Sequence, residues 1–284
     1  MKNLLIGVFS NYNWEKVKPW VMSAKNNIKN CDIVLIVLNS DFETVEKLTE
    51  VGVGVIVCNT DPEKKIVYHK SNFAPHVERF IHLYNFLKSA YQNYKYVITT
   101  DVRDIIFQSD PFDYIENVFS ENKEYKLICG SECLKYKDEP WGNENLYQTY
   151  GEYVHEQYKN NEIFNVGVLG GYSDYIKDLC INLFLNSINR PIPIVDQAVF
   201  NFTVATKPYS DVFKFCRLAD GWVVNAGTTN DPSKYADFKP KLLEEEAKVL
   251  NGEICNSDGI PFAIVHQYDR VPGWEKILEK HFEV

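Results

Sequence analysis

The sequence predicts an α/β fold: a mostly parallel sheet with helices on both faces, followed by a more irregular second half. Three observations carry this. Apolar runs of strand length alternate with helix-length amphipathic segments through the first hundred residues. The run Tyr96–Thr100 then stops abruptly at two carboxylates, Asp101 and Asp104. Beyond residue 112 the alternation loosens into shorter apolar runs and long polar stretches.

Leu4–Phe9 is short, apolar and flanked by polar groups, so it reads as a buried first strand. In Trp14–Lys29, Val17, Trp20, Val21, Ala24 and Ile28 follow helical 3-4 spacing. Asp32–Leu38 is a second strand, Phe42–Val51 a second helix and Val53–Cys58 a third strand. The polar stretch 59–75 reads as a connection. His76–Tyr94 is a long helix with Phe80, Leu83, Tyr84 and Leu87 on one side, and Tyr96–Thr100 is the fourth strand. In the second half, Lys126–Gly130 reads as a strand, Tyr136–Gly151 as a long polar loop and Asn165–Gly170 as a short strand ending at two glycines. A helix over Ser173–Ile188, a helix over Asp196–Thr203 and a strand over Phe213–Arg217 follow. Lys239–Asn251 reads as helix or charged loop, and Ala263–His266 as a late strand. No repeat, low-complexity tract or linker divides the chain, which predicts one domain over 1–284.

The 284 residues are 45% hydrophobic, enough for a substantial core. The net charge of −9 argues against nucleic acid and against an anionic membrane surface as main partners. The seven cysteines are scattered, with no Cys-x-x-Cys, and read as free thiols in a reducing compartment. The apolar run at the N-terminus is too short to span a bilayer and lacks a small-residue cleavage site. A soluble, cytoplasmic protein with no membrane insertion is expected.

The chemistry concentrates where apolar strands end in polar groups. Ligands of α/β sheets bind outside the carboxyl ends of the strands. Carboxylates there can hold a hard divalent cation, and the cation a diphosphate; a capped strand end is the alternative for Asp101 and Asp104. Four later segments keep the motif company. Phe164–Gly171 offers Asn165 for hydrogen bonding to hydroxyls and glycines, Gly167 among them, that allow close backbone approach. Val195-Asp196-Gln197 opens an apolar segment, where Asp196 either caps a helix or faces a sugar. Ile264–Arg270 ends a strand in an imidazole, a carboxylate and a guanidinium, which makes His266 a third ligand for a mixed carboxylate/imidazole metal site. Gly221–Gly227 supplies either an acceptor wall or, through Trp222, core packing.

Taken in order, Asp101-Val102-Arg103-Asp104, Asn165–Gly171, Asp196-Gln197 and His266 resemble the signature of GT-A fold glycosyltransferases. In those enzymes an Asp-x-Asp motif after a central strand binds a divalent metal and the donor diphosphate. The Thr-Asp-Val-Arg-Asp-Ile-Ile-Phe-Gln stretch looks most like a largely uncharacterised subgroup. One departure stands out: Arg103 occupies the place of the usual second Asp, and the carboxylate follows at Asp104. Either both carboxylates share the metal, or one binds through water, or Arg103 pairs with phosphate.

The resemblance implies a hexosyl- or pentosyltransferase in glycan biosynthesis. It would use Mn²⁺ or Mg²⁺ and a nucleotide-sugar donor, with UDP as the nucleotide, and act on a hydroxyl of a glycan or glycoprotein acceptor. Residues 1–112 would form the nucleotide-sugar half and 113–284 the acceptor half. Asp101, Asp104 and His266 would hold the metal. Phe9, Ser10, Asn11 and Tyr12 would hold the base and ribose. Asp101, Val102, Arg103, Asn165, Gly167, Gln197 and Arg270 would line the donor site; Arg79 either reaches the donor or sits as a solvated helix charge. Asp196 is the candidate carboxylate nearest the reacting sugar and Glu132 its rival as base. Trp141, Tyr147 and Trp222 are candidate faces for acceptor sugars. A haloacid-dehalogenase-type phosphatase would need its nucleophile Asp after the first strand, where this chain has none. The aromatic, uncharged Phe9–Trp14 loop argues against a nucleotidyltransferase, which keeps that rival open only as an alternative, beside a non-catalytic sugar-nucleotide or glycan binder.

Overall fold

The computed structural model describes residues 1–283. The chain begins with β1 (Lys2–Ser10), α1 (Trp14–Asn27), β2 (Cys31–Asp41), α2 (Phe42–Glu50) and β3 (Gly54–Val57). Asn13 caps α1 and Asp41 caps α2, each side chain accepting an N–H of the first turn. The 59–75 stretch holds two short strands, β4 (Asn59–Asp61) and β5 (Ile66–Tyr68), paired antiparallel as a hairpin. Next come α3 (Pro75–Ala90), β6 (Tyr94–Thr100), β7 (Ile105–Phe107) and α4 (Pro111–Glu121), whose cap Asp110 and first-turn Pro111 mark its start.

The second half contains β8 (Leu127–Lys135), α5 (Pro140–Tyr150), α6 (Glu152–Tyr158), β9 (Glu162–Tyr172), α7 (Ser173–Ser187) and α8 (Asp196–Val204). It continues with α9 (Tyr209–Val212), β10 (Phe213–Cys216), β11 (Val223–Asn225), α10 (Ala226–Thr229) and α11 (Tyr235–Phe238). The chain closes with β12 (Lys248–Leu250), β13 (Glu253–Cys255), β14 (Ile264–His266) and α12 (Trp274–Leu278).

The architecture is mixed α/β around a mostly parallel central sheet of order β10-β8-β9-β6-β1-β2-β5-β4, with β3 also paired to β2. β1 runs parallel to both β2 and β6, so the chain leaves the centre in both directions. β9 runs antiparallel to both β6 and β8. Strands on either side of residue 112 therefore share one sheet. Helices cover both faces: α1 and α4 pack through Trp20, Val21, Ile115 and Phe119 on one side. On the other, α3, α7 and α8 pack through Phe80, Leu83, Leu179, Leu183 and Phe200. A three-stranded sheet, β11-β14-β7, stands beside the main one over its own core of Ile106, Val224, Phe262, Val265 and Trp274.

Several expectations need correcting. The 136–151 segment is not a loop: α5 fills it, because Glu139 accepts the Trp141 and Gly142 N–H groups, Pro140 sits at the first helical position, and Leu146 packs on Tyr136 and Ile163. The strand at 165–170 runs the full Glu162–Tyr172 and does not turn at its glycines. Gly170 is paired with Ile98 and Ile128, and a Cβ there would come within 2.9 Å of Ile115 and 3.3 Å of Trp222. The helix expected to reach Tyr94 ends at Ala90, and a 3₁₀ turn leads into a strand that starts at Tyr94. The 239–251 segment is a 3₁₀ turn, a loop and the short edge strand β12, with no α-helix.

Candidate active site

A cavity of about 640 Å³ opens at the carboxyl ends of β1 and β6, where the chain order of the sheet reverses. The end of β1 and the turn after it supply Phe9, Ser10, Asn11 and Tyr12 to its wall, and the turn after β6 supplies Asp101, Val102, Arg103 and Asp104. The Phe9 and Tyr12 rings stack with centroids 6.1 Å apart. Asn11 takes a left-handed backbone, and its N–H donates to the Asn39 carbonyl at 2.7 Å, which fixes this turn against β2.

The small sheet explains how His266 reaches the two carboxylates. β14 pairs antiparallel with β7, putting His266 opposite Ile105, the neighbour of Asp104. The Gln267 N–H donates to the Asp104 carbonyl at 2.6 Å and locks that register. The ligand atoms of Asp101, Asp104 and His266 consequently lie within 4.8 Å of one another. Nε2 of His266 is 3.5 Å from Asp101 Oδ2 and 3.7 Å from Asp104 Oδ1. It is buried and has no hydrogen-bond partner among the described residues. Nδ1 lies 2.9 Å from Asn225 Oδ1. The Asn225 amide is oriented by its own donation to the Ser131 carbonyl at 2.8 Å, so its oxygen must accept the Nδ1–H. Nε2 is thereby the nitrogen left to face the carboxylates, the arrangement found behind metal-ligating histidines.

Charge balance supports the same reading. Burial alone would lower the His266 pKa, but attraction to Asp101 and Asp104 outweighs it and raises it. Burial would likewise raise the Asp101 carboxyl, yet Arg79 and His266 overcome that and hold it well below the usual carboxylate range. A cation among these groups would take the place of the proton on Nε2. Gly167 leaves the space open: a Cβ there would sit 2.6 Å from Asp101 Oδ2, 2.7 Å from His266 Cε1 and 2.8 Å from Asn165 Oδ1. A divalent cation fits the donor set of two carboxylates and one imidazole.

Arg79 is largely buried in the cavity lining and is not a solvated helix charge. It donates to Asp101, and its other arm donates to Asp196 at 2.9 Å. Asp196 is the first residue of α8, whose cap position is Val195. Its pKa is pushed up by burial, against the pull of Arg79. Glu132 arrives through an irregularity between Ser131 and Lys135 in the β8–β9 pairing, where Cys133 adopts a left-handed backbone and donates its N–H to Ser131 Oγ at 2.7 Å. Oε1 of Glu132 accepts from Asn165 at 2.7 Å and from Gln197 at 3.1 Å. Asn165 Oδ1 accepts the Gly167 N–H at 2.6 Å, which ties this carboxylate to the glycine beside Asp101.

Arg103 is engaged by carboxylates, Asp104 at 3.1 Å and Asp269 at 3.2 Å. Arg270 lies at the cavity wall, half exposed. Trp141 lines the mouth and is exposed. Two candidate acceptor faces lie elsewhere: Trp222 is wholly buried in the core, and Tyr147 is exposed outside the cavity, with its ring edge-on to His155. Sequence reasoning missed His76, Thr228, Lys234 and Gln267, which also line the cavity. The spacing of His76 and Arg79 on one helix face was available as a signal; Lys234 lies in a stretch with no periodicity.

No family model matches the chain. No curated protein matches it either. The chain is similar in structure to mouse xyloside xylosyltransferase 1 in its apo form, with a TM-score of 0.53 and 12% identity over 92% of this chain and 96% of that one. It therefore shares the fold of that structure over nearly the full length of both chains.

Proposed function

We propose that this chain is a glycosyltransferase that moves a monosaccharide from a nucleoside diphosphate sugar, with UDP as the nucleotide, to a hydroxyl of a glycan acceptor. The observation that carries this reading is the convergence of Asp101, Asp104 and His266 around the gap left by Gly167. The fold similarity to a xylosyltransferase supports it.

Asp101, Asp104 and His266 would hold a divalent cation such as Mn²⁺ or Mg²⁺, which when bound neutralises charge on a departing diphosphate. The chain's own residues do the rest. The Phe9/Tyr12 pair offers an apolar wall and an aromatic face for a base, with Ser10 and Asn11 as polar partners for a ribose. Arg79 keeps Asp101 ionised and ties up Oδ2 of Asp196 in an ion pair, which leaves Asp196 to orient Arg79 and stabilise positive charge nearby. Glu132 has one oxygen held by two amides; its other oxygen carries no hydrogen bond from the described residues and is the better placed to take a proton from an acceptor hydroxyl. Trp141 offers a ring face at the mouth for an acceptor sugar.

The test is release of UDP from UDP-sugars with Mn²⁺ and with chelator. Metal-dependent release from at least one donor supports the proposal. Tight donor binding without release in any donor–acceptor pairing would instead identify a binding protein.

A further inference from the structure

A second group of metal-ligating side chains lies apart from the cavity, and the donor chemistry does not use it. Cys58 follows β3, His69 follows β5, and His82 stands on α3. Their ligand atoms lie within 4.8 Å of one another. Glu78, one helical turn before His82, joins them: its Oε1 is 2.6 Å from His69 Nε2 and 3.7 Å from His82 Nε2. The two imidazoles meet edge to face with centroids 5.0 Å apart.

We propose that Cys58, His69, Glu78 and His82 form a zinc site that fastens the β4–β5 hairpin to α3. The donor set selects the metal. A thiolate, two imidazoles and one carboxylate suit Zn²⁺ in tetrahedral coordination, whereas Mn²⁺ and Mg²⁺ prefer oxygen. Four protein ligands leave no open position, which marks a structural site and not a catalytic one. Nε2 of His82 is buried with no hydrogen-bond partner among the described residues, on a helix that is otherwise well packed. Tetrahedral zinc holds its ligand atoms roughly 3.3–3.8 Å apart, given bonds of about 2.0–2.3 Å. The Cys58, His69 and His82 atoms must therefore close by about an ångström and Glu78 must swing off its hydrogen bond to His69 by roughly 0.7 Å, adjustments within reach of side-chain rotation at the exposed Cys58 and at Glu78. On binding, the Cys58 thiol gives its proton to solvent.

The site bears on the cavity through two connections. α3 carries Arg79 as well as Glu78 and His82. The His69 N–H donates to Asn39 Oδ1 at 3.1 Å, and Asn39 donates to Ser10 Oγ at 2.8 Å in the cavity wall. A metal here would hold both walls without touching substrate.

Co²⁺ titration of the full chain, stripped with chelator and kept reduced, tests this independently of any transferase activity. The wild type should show a thiolate-to-cobalt charge-transfer band that saturates at one equivalent and is bleached by Zn²⁺. Cys58→Ser should abolish the band, His82→Gln should weaken binding at least about tenfold, and Asp101→Asn should leave it intact. Cys58 is exposed, so its substitution leaves the fold in place. Absence of the band at millimolar Co²⁺, its persistence in Cys58→Ser, or its loss in Asp101→Asn would each overturn the assignment.

Discussion

Asn225 decides which nitrogen of His266 faces the carboxylates. Its side-chain oxygen, 2.9 Å from Nδ1, accepts that N–H and turns Nε2 toward Asp101 and Asp104. Both residues sit at matched register positions on paired strands, so backbone pairing and side-chain bonding enforce one orientation. Asn225→Ala is expected to weaken Mn²⁺ binding by about 10–100-fold. It should also cost about 1–3 kcal/mol through the unpaired Ser131 carbonyl and His266 N–H. Metal titration beside thermal unfolding separates the two effects; unchanged metal affinity would remove Asn225 from the account.

Gly167→Ala tests the open space directly. The added methyl would meet Asp101 and His266 at under 3 Å. Metal and donor binding should fall by at least about tenfold, a cost of roughly 1.4 kcal/mol or more. Donor-binding calorimetry reads this, and full binding by the variant would show that no ligand occupies that gap.

Arg79→Met leaves the buried Asp196 and the partly exposed Asp101 without their guanidinium. The expected loss is about 3–5 kcal/mol of stability. Arg79→Lys keeps the charge but cannot donate from two fixed arms, so it should fold better than Arg79→Met while remaining well below wild type in activity. Urea unfolding of both variants checks the order.

The aromatics divide by location. Trp222→Ala should cost about 3–5 kcal/mol, as expected for a wholly buried indole. Trp141→Ala should leave the melting temperature close to wild type and raise the KM for acceptor, because Trp141 is exposed at the cavity mouth. Equal destabilisation by the two substitutions would contradict this division.

The thiols give a pH signature. Burial pushes Cys31, Cys133 and Cys180 up to about 12. Because the folded-state value lies above the ordinary one of about 8.5, burial of the neutral thiols contributes fully below that pH, and the contribution fades as pH rises toward 12. Stability should therefore decline across that alkaline range. At pH 8 in chelator, a thiol reagent should modify the exposed Cys58 well before these three. Mass spectrometry of labelled peptides checks the order.

Of the three proposed metal ligands, Asp101 and His266 were legible because each closes an apolar run: Tyr96–Thr100 before Asp101, and Ile264–Val265 before His266. Helices with a clear apolar face, such as α3 and α7, were legible for the same reason. Asn225 was not, because a buried amide beside Trp222 has no periodic pattern to betray it. α5 was hidden because Pro140-Trp141-Gly142 carries turn residues, and a cap from Glu139 with packing of Leu146 overrides that local preference. The β4–β5 hairpin was hidden in a polar stretch, held by backbone pairing with β2 and little apolar burial beyond Val67. The bulge that aims Glu132 depends on Ser131 and on pairing with a strand thirty residues away, which local composition cannot convey.

Binding of Mn²⁺ with UDP, followed by calorimetry in the wild type, Asp101→Asn and His266→Ala, tests the central claim most directly. One metal-dependent UDP site in the wild type, lost in both variants while each remains folded, is the predicted result. Equal Mn²⁺-dependent UDP binding by all three proteins would contradict it.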